Sequence, residues 1–220
     1  MITAKNLFLA YDNKKNIIKE SQFNIEDKEF VFIGGQSGSG KSTLLRALYG
    51  DVPVKYGDLF INDMNLRNIS RSKLQNLRKN IGIVFQDYKL VNEWTIEENI
   101  MLPLRINGHR DEVCKEQANK LLKHIKLQHK KGSLPQELSG GEQQRIAVAR
   151  AIAHNPKLIL ADEPTGNLDE YSAELVWDLL KGAKEALGVT VIVVTHRVPK
   201  NFGIRTRQLS ISDGSIYEIS

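Results

Sequence analysis

Apolar runs rich in β-branched residues alternate along the chain with longer stretches of helical periodicity. That order predicts an α/β fold with a largely parallel sheet. Predicted strands are Ile2–Ala10, Ile17–Ile25, Glu29–Ile33, Asp58–Ile61, Ile81–Phe85, Leu158–Ala161, Val189–Thr195 and Gln208–Ser212. Asn24–Asp27 and Asp213–Gly214–Ser215 carry the turn residues of antiparallel hairpins near the two ends. Between Thr95 and Lys131 the period becomes helical: Val113, Gln117, Leu121 and Ile125 recur every four residues, with Lys115, Lys120, Lys123 and Lys126 on other faces. This block is expected to be a helical insert between two halves of the sheet.

The 220 residues, 41% hydrophobic and 26% charged, suffice for one ordinary globular domain and exclude a mainly disordered chain. A single cysteine, Cys114, cannot close an internal disulfide and is expected to be a plain structural residue in a reduced setting. No run of about 18 apolar residues crosses a membrane, and Met1–Tyr11 lacks the charged start and apolar core of a secretion signal. The formal net charge of +5 is unevenly placed, since residues 62–135 hold 14 Lys+Arg against 8 Asp+Glu. Charge alone leaves nucleic acid, anionic lipid and an acidic protein partner all open.

The strongest chemical signal is Gly35-Gln36-Ser37-Gly38-Ser39-Gly40-Lys41-Ser42-Thr43, a G-x-x-x-x-G-K-[S/T] loop between an apolar strand and a helical run, Ser42–Tyr49. Its glycines let successive backbone N–H groups and a helix N-terminus converge on phosphate oxygens. Lys41 would neutralise the β- and γ-phosphates, and the Ser42 hydroxyl would meet Mg²⁺. Leu158-Ile159-Leu160-Ala161 ends in two carboxylates at a strand exit, where ligands bind in such sheets. Asp162 suits the metal, and Glu163 could orient or deprotonate an attacking water; a helix-capping acidic pair is the alternative. Ser139-Gly140-Gly141-Glu142, opening a helical run from Gln144 to His154, is a second anion-binding arrangement. One nucleotide does not need two such sites, and a dimer accounts for the surplus.

The phosphate loop, then Leu138-Ser139-Gly140-Gly141-Glu142-Gln143, then Leu158 to Glu163, in that order, resemble the nucleotide-binding domain of ATP-binding-cassette (ABC) ATPases along essentially the whole chain. The resemblance implies an ABC ATPase fold: a P-loop core with a mostly parallel sheet and an antiparallel β subdomain (about 1–90 and 139–220), and a helical subdomain (about 91–138). It implies ATP and Mg²⁺, with ATP hydrolysed in a head-to-tail homodimer, each nucleotide between the phosphate loop of one subunit and the signature of the other. It also implies that Tyr11 stacks on adenine, unless it simply finishes a strand. Gln86 matches the Q-loop glutamine that meets Mg²⁺ and the γ-phosphate, Gly166-Asn167-Leu168-Asp169 the D-loop at the dimer interface, and His196 the switch histidine on the γ-phosphate. Asp169 also suits a helix N-cap. His109, His124, His129 and His154 are expected to be solvated. Arg197 stands where the family places an acid, which puts the local helix cap in doubt.

Within the family, Gly166-Asn167-Leu168-Asp169 and Glu137 to Arg145 resemble the branch containing lipoprotein-release, macrolide-exporter and cell-division ATPases, and Ile83-Val84-Phe85-Gln86-Asp87-Tyr88-Lys89-Leu90 resembles its cell-division members above all. That resemblance implies a polytopic membrane partner, division components beyond it, and a position on the inner face of the cell membrane. A nucleic-acid-associated ABC ATPase is the rival from another class, but this chain carries no long coiled coil, zinc module or tandem cassette.

Overall fold

The computed structural model describes residues 1–11, 16–199 and 202–219. In chain order its elements are β1 (Ile2–Leu9), β2 (Ile18–Ile25), β3 (Phe30–Gly35), α1 (Lys41–Leu48), β4 (Val54–Ile61), β5 (Met64–Asn65), α2 (Arg71–Arg78), β6 (Ile81–Val84), α3 (Ile96–Ile106), α4 (Asp111–His124), α5 (Gly140–Ile152), β7 (Leu158–Asp162), α6 (Glu170–Leu187), β8 (Thr190–Val194), β9 (Arg207–Ser212) and β10 (Ser215–Ile219). The fold is α/β. Its packing divides into two units, residues 1–78 with 190–220, and residues 79–189.

The first unit holds two sheets. An antiparallel sheet runs β2-β1-β4-β5. In the second sheet β3 is parallel to both β8 and β9, and β9 turns back antiparallel into β10. β3 and β8, Phe30-Val31-Phe32-Ile33 and Thr190-Val191-Ile192-Val193-Val194, are buried on both faces, which explains why they are continuous apolar runs. Phe30 and Phe32 pack on Phe202, with ring centroids 4.7 and 5.0 Å apart. α1 lies on β1, β3, β4 and β8. Arg207 on β9 bridges Glu218 on β10 (2.7 Å) and Glu29 just before β3 (3.0 Å).

The two turn expectations fare differently. Asp213 and Gly214 have φ of 52° and 87° and close the β9–β10 hairpin, as two left-handed residues in a tight turn should. Asn24–Asp27 does not close a hairpin: β2 pairs with β1 and leads into β3 without pairing with it.

In the second unit β6 and β7 are parallel, α5 packs on β6, and α3, α4 and α6 all contact α5 or one another. Helices α3 and α4 occupy the expected helical block, and three of the four expected α4 seam positions move by one residue. Cys114, Ala118, Leu122 and Ile125 are the buried seam, whereas Val113 is 42% exposed and Gln117 and Leu121 are half-buried. Cys114 is therefore structural, and burial pushes its thiol pKa up. Thr95 and Glu98 close a capping box at the start of α3.

β6 and α5 approach so closely that a Cβ on Gly82 would collide with the Ala151 backbone carbonyl. Neither backbone can yield without moving its whole element. Gly82→Ala is expected to cost about 2–3 kcal/mol in urea unfolding, at the upper end of overpacking penalties.

Candidate phosphate-binding and catalytic site

In the first unit β3 delivers the chain into the phosphate loop. A Cβ on Gly35 would lie 2.6 Å from the Ile211 carbonyl and 2.7 Å from Ser39 Oγ, so only glycine fits between the loop and β9. Gly40, at φ 109°, is the N-cap of α1 and turns the chain from loop to helix in a conformation other residues avoid. Lys41 is 8% exposed, its Nζ donating to the carbonyls of Gly35 (2.9 Å) and Gln36 (3.0 Å). The ammonium is thus held inside the loop. Ser39 Oγ is buried there with no hydrogen-bond partner among the described residues, an arrangement left open for an acceptor brought by a ligand.

Tyr11 sits at the start of the same helix. Its hydroxyl accepts from Thr43 Oγ1 (3.4 Å) and Arg46 (3.3 Å), and the Arg46 guanidinium lies over one face of its ring at 5.4 Å. The parallel register Ile33↔Val194 brings the phosphate loop and His196 out at the same sheet edge. His196 is exposed. The Thr195 hydroxyl accepts from the Arg197 amide (3.1 Å), and residues 197–199 are not helical, so no helix begins directly after this histidine.

The second unit repeats that logic. The register Val84↔Ala161 leaves Gln86, Asp162 and Glu163 at one carboxyl edge, Gln86 exposed and the two carboxylates half-buried. Glu163 has φ 45°, uncommon for a residue with a side chain and frequent at functional sites. Its carbonyl accepts from the Gly166 amide at 3.1 Å, closing a tight turn. Buried Gln144 of α5 donates to the Pro164 carbonyl at 2.7 Å and so fixes the turn that carries Glu163.

At the N-terminus of α5, Ser139 Oγ accepts from the Glu142 amide (3.3 Å) and the Ser139 amide donates to Glu142 Oε2 (2.8 Å). A Cβ on Gly140 would meet the Tyr88 hydroxyl at 2.9 Å, and one on Gly141 would meet Ser172 Oγ at 2.5 Å. Both glycines are therefore contact positions between neighbouring elements. Asp169 is the N-cap of α6, accepting from the Ser172 amide at 2.9 Å, and those bonds hold its carboxyl below the usual range.

Beyond the residues expected from the sequence, Arg150 braces the segment after Gln86, as Gln144 braces the turn after Glu163. Tyr88 and Lys89, following Gln86, both have left-handed backbones (φ 62° and 48°). Buried Arg150 donates to their carbonyls, at 2.7 Å each. Burial lowers its pKa to about 10, which leaves it charged at neutral pH. Gln144 and Arg150 are both internal to α5, and nothing in their spacing marks which loop they reach. His154 also departs from expectation: it is half-buried, desolvation depresses its pKa, and its Nδ1 is buried without a partner among the described residues. His109, His124 and His129 are exposed.

The ABC transporter family model matches residues 18–166. The cell division ATP-binding protein FtsE of Streptococcus pneumoniae serotype 2 is 38% identical over 216 residues, covering 98% of this chain and 94% of that protein. FtsE of Bacillus subtilis is 36% identical over 218 residues, with the same coverage, 98% and 94%. The methionine import ATP-binding protein MetN of Carboxydothermus hydrogenoformans is 36% identical over 220 residues, 99% of this chain but 65% of that protein. Among solved structures, a dimeric post-hydrolysis state of an ATP-binding cassette bound to ADP and Pi superposes with a TM-score of 0.89 at 36% identity, covering 100% of this chain and 98% of that one. A phosphate loop at the end of a parallel strand, a capped Ser-Gly-Gly helix and a paired carboxylate at a strand exit thus occur in a chain that matches such cassettes over its whole length: the chain belongs to the ABC transporter family and is one of its ATPases.

Proposed function

We propose that this chain is the ATP-driven subunit of a cell-division complex of the FtsE type. Two copies close head to tail on two ATP molecules and reopen after hydrolysis. The motion passes to a polytopic membrane partner resembling FtsX, through which the complex controls septal peptidoglycan hydrolysis with other division components. The choice is supported by similarity to two relatives named FtsE, 38% and 36% identical over 98% of this chain. The segment Gln86-Asp87-Tyr88-Lys89-Leu90 supports the same choice. In this proposal the site of action is the inner face of the cell membrane, reached through the partner; no helix among the described residues is long and apolar enough to cross a bilayer.

In this reading the loop from Gly35 to Thr43 (Gly35, Gln36, Ser37, Gly38, Ser39, Gly40, Lys41, Ser42, Thr43) wraps the phosphates. The orphaned Ser39 hydroxyl supports an acceptor there. Tyr11 stacks on adenine through the ring face that Arg46 leaves open. Ser139, Gly140, Gly141 and Glu142 of the second copy close on the γ-phosphate, and Asp169 crosses the interface. Glu163 takes a proton from the attacking water, with Gln86 and His196 holding the γ-phosphate region. Ser42, Gln86 and Asp162 would hold Mg²⁺. A hydroxyl, an amide and a carboxylate are oxygen donors of the kind such an ion takes, with phosphate oxygens and water completing its shell. When bound, it would neutralise phosphate charge.

The test is purification of the tagged full chain from membranes with identification of what accompanies it. A polytopic protein of the FtsX type is the expected result. Recovery with a permease of the lipoprotein-release (LolD-like) or macrolide-exporter type overturns the cell-division reading, and salt-dependent DNA affinity without membrane recruitment favours a nucleic-acid-associated ATPase.

A further inference from the structure

The Glu142 carboxylate presents a physical problem for a helix end expected to receive phosphate. It lies in the first turn of α5, beside the amides of Gly140 and Gly141, which have no acceptor within the helix. A negative charge there opposes the approach of another anion, and the residue is largely withdrawn from water, with 18% of its side chain exposed. Oε2 is committed to the Ser139 amide at 2.8 Å. Oε1 is met by Lys130 Nζ at 2.7 Å. The ammonium comes from the short 3-10 turn Gln128–Lys130, twelve residues upstream, and is itself only 30% exposed. Burial pushes the Glu142 carboxyl up, and the bonds from Lys130 and Ser139 outweigh it, so the carboxylate stays ionised and paired.

We infer that Lys130 is a positioning residue for the ATPase reaction: its ammonium neutralises Glu142 and fixes it in the cap, so that the helix end offers its Gly140 and Gly141 amides to the γ-phosphate of the nucleotide held by the second copy. Lys130 does not touch nucleotide in this assignment; it acts through Glu142. Exposed lysines of the same segment, such as Lys126 and Lys131, have no such carboxylate partner among the described residues and are solvated charges. The assignment rests on the head-to-tail dimer reading above.

The test uses the full chain carrying Glu163→Gln to suppress turnover, and measures the ATP concentration at which the dimer forms. Lys130→Met keeps the aliphatic stem and removes the charge. It should raise that concentration about threefold for each site, and about tenfold for a dimer that closes two of them, the scale of a charge at a helix end. Lys130→Gln should do the same, which guards against a folding defect peculiar to one variant. Lys130→Arg should stay within about twofold, since it restores the charge. Adding Glu142→Gln to Lys130→Met should recover most of the loss, because glutamine can still accept the cap bond without a charge to repel phosphate. If Lys130→Met and Lys130→Gln close at the parent's ATP concentration, or if the added Glu142→Gln does not recover closure, the electrostatic role is wrong. If the Glu163→Gln parent itself fails to associate with ATP, the dimer reading falls and takes this assignment with it.

Discussion

Glu163→Gln leaves ATP bound and stops its hydrolysis: turnover is expected to fall by about 10²- to 10⁴-fold, the usual contribution of a positioned general base. Glutamine keeps the shape and the ability to accept a hydrogen bond, but it cannot take a proton. The local geometry favours a clean effect. The residue occupies a left-handed backbone at the exit of β7, its carbonyl is fixed by the Gly166 amide, and Gln144 secures the following Pro164. Neither of these bonds uses the carboxylate, and glutamine is isosteric with it. Phosphate release should vanish while size-exclusion chromatography with ATP shows an accumulated dimer. Phosphate release at the wild-type rate would remove Glu163 from its role.

Lys41→Ala acts one step earlier, on binding itself. The ammonium is buried in the loop and holds two carbonyls; under the proposed function it exchanges those for phosphate oxygens when nucleotide binds. Each charge-assisted hydrogen bond is worth about 1.5–3 kcal/mol, so removing the group should weaken ATP binding by about 10²-fold or more. The fold should survive, because the alanine remains in the first turn of α1 and the neighbouring Leu44 and Leu45 keep their burial. Titration with labelled ATP distinguishes the two variants: Glu163→Gln binds and does not turn over, Lys41→Ala does neither. Equal ATP affinity in Lys41→Ala and wild type would show that the loop is not the phosphate site.

What could be foreseen from the residues alone follows a physical pattern. Strands buried on both faces, such as Phe30–Ile33 and Val191–Val194, announce themselves because nothing else needs an unbroken β-branched run. Elements with one buried side chain do not: α2, Arg-Ser-Lys-Leu-Gln-Asn-Leu-Arg, buries only Leu77, and so has no stripe to detect. β10 has no apolar run of its own for the same reason, with Ile216 its one buried residue, and is announced only by the turn at Asp213–Gly214. In β4 the glycine at position 57 resembles a turn, whereas it lies within a strand whose pairing to β1 shifts register between Lys5 and Phe8. In α4 the small side chains of Cys114 and Ala118 allow close approach and take the seam, leaving the more hydrophobic Val113 outside. The site followed a similar division. Motif residues were visible because chemistry restricts their types, while Arg150, Gln144 and Lys130, which brace those residues from a distance in sequence, were set by tertiary placement and left no spacing to find.

The fit of Gly35 against Ile211 carries a consequence for biosynthesis. The floor of the phosphate loop is β9, paired with β3 in the register Gly35↔Ile211. A ribosome therefore releases the loop's glycines and Lys41 long before it has made the strand on which they rest. Pairing partners so far apart in sequence form late, and a nascent chain that has not yet emitted residues 207–212 has no finished cradle. Nucleotide capture at this loop is thereby expected only of chains translated past Ser212, and a ribosome stalled in α6 would hold the loop without the strand beneath it.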